Sequence, residues 1–221
     1  MGSNFHNLVF VTYGTYSAKE LFDICYSSFK HVYTNTKLVI YCLDQQLFDY
    51  CKDKDVIRFL HNEIQPTSYE YWNLDLDSNY QKINRQKFKI INKASLIYED
   101  FIYIDLDTVH ISSVLDYLAS LTSGFYSSVY CNNTFCAGVM YLKQVGHDAI
   151  KTLMSTDYDD EKLLTHFFYT KKLDIRKLDK EIVANADFGT VPPLCGILHY
   201  PGVADLKLKI KLLNNAVLLR S

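Results

Sequence analysis

The run Phe101-Ile102-Tyr103-Ile104-Asp105-Leu106-Asp107 constrains this chain more than any other stretch. Four apolar residues, all aromatic or β-branched, lead directly into two carboxylates separated by one residue. A short, uninterrupted apolar run of this kind is typical of a strand buried on both faces, as in the centre of a parallel sheet. Ligands of such sheets collect in the crevice beyond the carboxyl ends of the strands. Side chains alternate along a strand, so Asp105 and Asp107 are expected on one side of that edge. Two anions at this spacing repel unless positive charge stands between them, and a divalent cation carrying a phosphorylated ligand would supply it. The other use of such a pair is to cap the following turn and helix, where Asp is favoured.

The elements around the run alternate. A strand over 8–12 ends at Tyr13-Gly14-Thr15, and Ser17 with Glu20 reads as a capping box. The helix that follows carries Leu21, Ile24, Cys25, Ser28 and Phe29 on one face. Strands follow over 38–43, closed by Asp44, and over 56–60. This order predicts an α/β sheet with right-handed crossovers. Residues 63–79 are polar and irregular. The second D-x-D there, Asp75 and Asp77, follows no apolar run and reads as a surface loop or helix N-cap rather than a metal site. A helix over 80–98 lines up Ile83, Ile90, Ile91, Ala94 and Ile97. Lys87 falls on that stripe, either snorkelling at its rim or aimed at an anion, whereas Lys82, Arg85, Lys89 and Lys93 belong to a solvated face.

Beyond the aspartate pair, a short helix opening at Ser112 or Ser113 runs to Leu121, and a strand covers 124–130. An apolar strand over 135–142 is interrupted by Ala137-Gly138, small residues that mark where a ligand nears a backbone. Residues 157–169 begin acidic and become helical, with Leu163, Leu164, Phe167 and Phe168 inward. Residues 197–202 form a short strand running into a Pro-Gly turn, and the tail from Leu206 carries both an alternating and a helical pattern.

With 221 residues, 48% of them hydrophobic, one substantial core is expected: a single domain over 1–221, alone or within a longer protein. A net charge of −2 without a basic block argues against nucleic acid as a partner. The six cysteines form no C-x-x-C pair and no zinc pattern, and Cys42 is one of several in apolar runs, which suits free thiols in a reducing compartment. No stretch reaches membrane-spanning length and no signal segment opens the sequence. The expectation is a soluble cytoplasmic protein.

Taken in order, the strand-borne D-x-D, a strand of the N-A-G-V type, an acidic helix start and H-x-x-G followed by lysine resemble the small GT-A nucleotide-sugar glycosyltransferases. The likeness is to the glycogenin and galactosyltransferase-like retaining group, and runs from Phe10 to about Lys209. The Tyr-, Lys- and Asn-rich wording is also similar to viral members that build capsid glycans. The resemblance implies a GT-A (Rossmann-like) α/β domain with a mostly parallel central sheet flanked by helices. It implies transfer of a hexose or deoxyhexose, glucose or rhamnose, from a UDP-sugar to a glycan or glycoprotein acceptor, with Mn²⁺ or Mg²⁺ as cofactor. By motif, Asp107 would bind the metal, Asp105 would contact metal and ribose, and His199 would be the third protein ligand. Thr12 and Tyr13 would meet the base and Asp44 the nucleoside. Lys207 or Lys209, with Gly202 and Lys87 as further candidates, would serve the diphosphate. Asp159, Asp160 and Glu161 would face the sugar's reactive carbon. Two positions depart from the pattern: Cys136 stands where Asn is usual, and Lys162 replaces the second acid of D-Q-D.

A haloacid-dehalogenase-type phosphatase would share the local signature, with Asp105 as nucleophile, Asp107 as acid/base and Val109 following. That motif ends the first strand of its domain, and its later glycine-aspartate pair is missing. A non-catalytic sugar-nucleotide-binding domain is the third reading. Two Asp, one His and a striped Lys in family order favour an enzyme, and the lack of a glycine-rich phosphate loop favours neutralisation by cations.

Overall fold

The computed structural model describes residues 8–61, 78–130, 134–154, 160–186, 195–201 and 206–218. Its elements are β1 (Val9–Gly14), α1 (Lys19–Val32), β2 (Lys37–Cys42), α2 (Gln45–Tyr50), β3 (Ile57–Leu60), α3 (Ser78–Ser95), β4 (Asp100–Ile104) and β5 (Thr108–His110). There follow α4 (Leu115–Ser120), β6 (Gly124–Val129), β7 (Phe135–Lys143), α5 (His147–Lys151), α6 (Asp160–Thr170), β8 (Ile175–Lys177), β9 (Val183–Asn185), β10 (Ile197–His199) and α7 (Leu206–Leu218).

Among the described residues, seven strands form a sheet in the order β3-β2-β1-β4-β7-β6-β8, and three form a smaller one, β5-β10-β9. Neighbours in the large sheet are parallel except around β7, which is antiparallel to both β4 and β6. The architecture is α/β, as the alternation of elements predicts, with the mostly parallel sheet flanked by helices that the resemblance implies. The apolar run of β4 has a direct cause. Ile102 and Ile104 enter the layer shared with α1 and α7, while Phe101 and Tyr103 enter the layer shared with α3, α5 and α6. A strand covered on both faces has no position for a polar side chain until it ends. No described helix is long and apolar enough to cross a membrane.

Several local expectations change. Ser17 lies in a 3-10 turn ahead of α1, where its hydroxyl pairs with that of Thr15 at 2.7 Å; α1 has no side-chain cap. Helix α3 stops at Ser95, so Ile97 falls beyond the core stripe and is exposed. Phe168 also turns outward, its ring meeting Phe135 edge-on. Helix α4 opens at Leu115, with Ser113 Oγ accepting from the Leu115 N–H. The ambiguous tail is a helix, with Lys209, Leu213 and Ala216 as its buried face. Cys25, Cys42, Cys51, Cys136 and Cys195 are buried free thiols. The loop carrying Asp75 and Asp77 lies outside the described residues.

Candidate functional site

Strand β4 stops at Ile104, and Asp105, Leu106 and Asp107 form the turn into β5. The two carboxylates therefore converge through a turn, not by alternation along a strand. Leu106, between them, is buried against Gly14 at the end of β1, where a Cβ would stand 2.5 Å from Leu106 Cδ1. Thr108 Oγ1 donates to the Asp105 carbonyl at 2.9 Å and braces the turn.

The third group arrives on β10. This strand pairs antiparallel with β5, His199 opposite Thr108, and the Tyr200 N–H donates to the Asp107 carbonyl at 3.0 Å. That register carries an imidazole from far along the chain to the turn. One ligand atom each from Asp105, Asp107 and His199 lie within 4.8 Å of one another. His199 Nε2 is 3.2 Å from Asp107 Oδ1 and 3.8 Å from Asp105 Oδ2. The ring packs on Gly138, where a Cβ would lie 2.0 Å from His199 Cε1. The small Ala137-Gly138 pair in β7 thus admits a side chain of the site itself. Nδ1 faces Asn185 Oδ1 at 2.8 Å and Cys136 Sγ at 3.4 Å.

Each carboxylate also has its own lysine. Lys87, from α3, reaches Asp105 Oδ2 at 3.1 Å and the Ala137 carbonyl at 3.2 Å. The anion at which this buried lysine is aimed is Asp105. Lys209, from α7, reaches Asp107 Oδ2 at 2.5 Å and is 1% exposed, whereas Lys207 points to solvent. The Tyr103 hydroxyl donates to Asp105 Oδ1. Part of the repulsion that the sequence pattern assigned to a metal is therefore met by ammonium groups. The site drives the two carboxyls apart in acidity. Burial raises Asp105 above its ordinary value, against the pull of Lys87 and with the push of Asp107. Burial works the same way on Asp107, but Lys209 and then His199 outweigh it and hold Asp107 well below the usual carboxylate range. Burial also opposes a charge on His199, yet Cys136 and Asp107 hold it well above the ordinary imidazole value. Two carboxylates and one imidazole facing a common point form a donor set that fits Mn²⁺ or Mg²⁺, with Mn²⁺ the more tolerant of nitrogen.

The remaining expected residues are spread around this edge. Thr12 and Tyr13 lie near the carboxyl end of β1, beside β4. Thr12 Oγ1 is buried without a hydrogen-bond partner among the described residues, and Tyr13 packs on Tyr103 with ring centroids 6.1 Å apart. Asp44 is buried and caps α2, its oxygens accepting from the Leu47 and Tyr16 N–H groups at 2.7 and 2.8 Å. Glu161, near the start of α6, accepts from the Tyr130 hydroxyl at 2.5 Å just past the carboxyl end of β6. Asp160 opens α6, while Asp159 and Gly202 lie outside the described residues. Sequence reasoning missed Tyr103 and Asn185. Alternation could have flagged Tyr103, two residues before Asp105, but an Asn closing a three-residue strand carries no signal.

No protein-family model matches the sequence, and no curated protein matches it. Solved structures do. The galactosyltransferase LgtC, solved with donor and acceptor sugar analogues, gives a TM-score of 0.57 at 11% identity over 94% of this chain and 95% of that one. A glycosyltransferase involved in glycosylation of the major capsid of PBCV-1 gives 0.60 at 11% identity, over 95% and 99%. Mouse xyloside xylosyltransferase 1 gives 0.56 at 10% identity, over 90% and 99%. The chain has the GT-A fold. In this GT-A sheet the D-x-D follows the fourth strand of the chain, not the first as in the phosphatase alternative. The GT-A edge formed by the ends of β1, β2 and β4 and the start of β7 is where the acidic turn, its lysines and the imidazole meet.

Proposed function

We propose that this chain is a metal-dependent glycosyltransferase. It moves a hexose or deoxyhexose, with glucose and rhamnose as candidates, from a UDP-sugar to a glycan or glycoprotein acceptor, with retention at the anomeric carbon. The observation that carries this reading is the convergence of Asp105, Asp107 and His199, flanked by Lys87 and Lys209, on the carboxyl edge of a GT-A sheet. Asp107 and His199 would hold Mn²⁺ or Mg²⁺, with Asp105 serving both metal and ribose. When bound, the metal offsets the charge that develops on the leaving diphosphate. Lys209 brings a second positive charge to the same place and can exchange Asp107 for a diphosphate oxygen. Lys87 and Tyr103 hold the Asp105 carboxylate from two sides, which fixes its orientation. Thr12, Tyr13 and Asp44 flank the neighbouring strand ends as contacts for the nucleoside. Glu161, its carboxylate held by Tyr130, would face the reactive carbon together with Asp159 and Asp160.

Likeness to the PBCV-1 protein supports a capsid glycoprotein as one candidate acceptor, and five buried free thiols support a reducing, cytoplasmic setting. The unit is one catalytic domain, alone or within a longer protein. The test is a panel of UDP-sugars with Mn²⁺, scored for transfer and for UDP release. Asp107→Asn should lower turnover about 100-fold or more, as loss of a group stabilising transition-state charge does, with a much smaller effect on folding. UDP affinity and turnover unchanged by both EDTA and Asp107→Asn would overturn the metal assignment. An aspartyl-phosphate on Asp105 would favour the phosphatase instead.

A further inference from the structure

We propose that Asn185 is a positioning residue that sets which nitrogen of His199 is offered to the metal; this rests on the metal reading above. A neutral imidazole has a lone pair on one nitrogen only, and the partner of the other nitrogen decides which. Asn185 closes β9, which pairs parallel with β10 so that Asn185 and His199 are register partners. An amide can be turned either way, but here its Nδ2 donates to the Val129 carbonyl at 2.9 Å. Oδ1 is therefore the atom turned to His199, and it lies 2.8 Å from Nδ1. An amide oxygen there can only accept, so Nδ1 carries a hydrogen whether or not the ring is charged, and Nε2 is the nitrogen left to offer its lone pair to a cation. Nε2 is also the nitrogen that faces Asp107 and Asp105.

The surroundings reinforce the choice. Gly138 backs the ring closely enough that no Cβ fits, and Cys136 Sγ, at 3.4 Å from Nδ1, is the weaker acceptor. Asn suits this position better than Asp. An aspartate would accept from Nδ1 equally well, but it would bring a third anion to the site and face the Val129 carbonyl without a hydrogen to offer it. Because Val129 belongs to the large sheet and Asn185 to the small one, the same amide also ties the two sheets together at the site.

The experiment is a Mn²⁺ titration of the chain, with free ion followed by electron paramagnetic resonance. It compares the wild type, Asn185→Ala, Asn185→Asp, His199→Ala and the Asn185→Ala/His199→Ala double variant. Loss of an outer partner of a metal-bound histidine typically weakens affinity about 10- to 100-fold, the expectation for Asn185→Ala. Asn185→Asp, which keeps the acceptor, should bind Mn²⁺ at least as tightly as Asn185→Ala. In the His199→Ala background, Asn185→Ala should have no further effect, because the residue acts through the imidazole. Wild-type affinity in Asn185→Ala, or the same loss with and without His199, would overturn the assignment. Equal Mn²⁺ binding by wild type and His199→Ala would overturn the metal reading itself.

Discussion

Two side chains compete for the oxygens of Asp107, an ammonium on one and an imidazole on the other, before any metal is considered. Removing one member of a buried ion pair costs about 3–5 kcal/mol, because the remaining charge is left in a poor solvent. Lys209→Met should therefore melt well below the wild type in EDTA. Mn²⁺ replaces the missing charge, so the rise in Tm on adding Mn²⁺ should be larger in Lys209→Met than in wild type, while UDP binding weakens. Thermal denaturation with and without Mn²⁺ checks both statements, and an unchanged Tm in EDTA would mean that the pair contributes nothing in solution. The sequence pattern singled out Asp105, Asp107 and Lys87, and the resemblance added His199 and the choice of Lys207 or Lys209; the fold brings all of these together except Lys207, which is exposed. The pattern demanded a metal on the ground of repulsion because a sequence displays its anions but not the cations that fold back onto them. Asn185 was not legible for a related reason: its role depends on which carbonyl and which ring lie on either side, and both come from other strands.

Strand β7 makes the site possible by running against its neighbours, since its first residues then extend past the end of β4. The Asp105 N–H donates to the Gly138 carbonyl there, and the other side of Gly138 receives the imidazole. Gly138→Ala should displace His199 and lower Mn²⁺ affinity about 10-fold or more, the scale seen when a metal-bound histidine loses its support. Gly14→Ala should be milder, because its obstacle is the flexible end of Leu106. Mn²⁺ titration and melting curves on both variants separate loss of the site from loss of the fold. Helix α7 shows why some elements resisted reading. Leu206, Leu208 and Ile210 alternate as a strand would, while the face that is buried begins with Lys209, a residue no apolar pattern counts. Ser17 failed as a cap because the chain makes a tighter turn before committing to α1.

The acid response of the whole molecule is set in part by His110, at the end of β5. Its ring meets Phe10, Phe29 and Tyr33 edge-on, each with centroids 5.4 Å away, and neither nitrogen has a hydrogen-bond partner among the described residues. Burial lowers its pKa from 6.5 to about 3. The folded value lies below the unfolded one, so between them the unfolded chain binds the extra proton. The contribution to stability is complete above about pH 6.5 and is lost as pH falls towards 3, at up to roughly 1.4 kcal/mol per unit. His110→Phe removes that term, so the stability lost between pH 7.5 and pH 5 should be about 2 kcal/mol smaller than in wild type. Urea unfolding at the two pH values checks this, and equal losses would contradict it. At this scale the α/β class was legible because local periodicity reports strand and helix. The strand order, the reversed β7 and the separate small sheet were not, because pairing partners lie far apart in sequence. The order of that small sheet, β5-β10-β9, has a consequence for the newborn protein. The latest of the described strands to be synthesised enters between two made before it, like a keystone. In a ribosome-bound chain halted short of β10, β5 and β9 would lack the strand that pairs with both, leaving unpaired backbone of the kind that invites aggregation. When β10 arrives it pairs with both strands and delivers the imidazole in one late step.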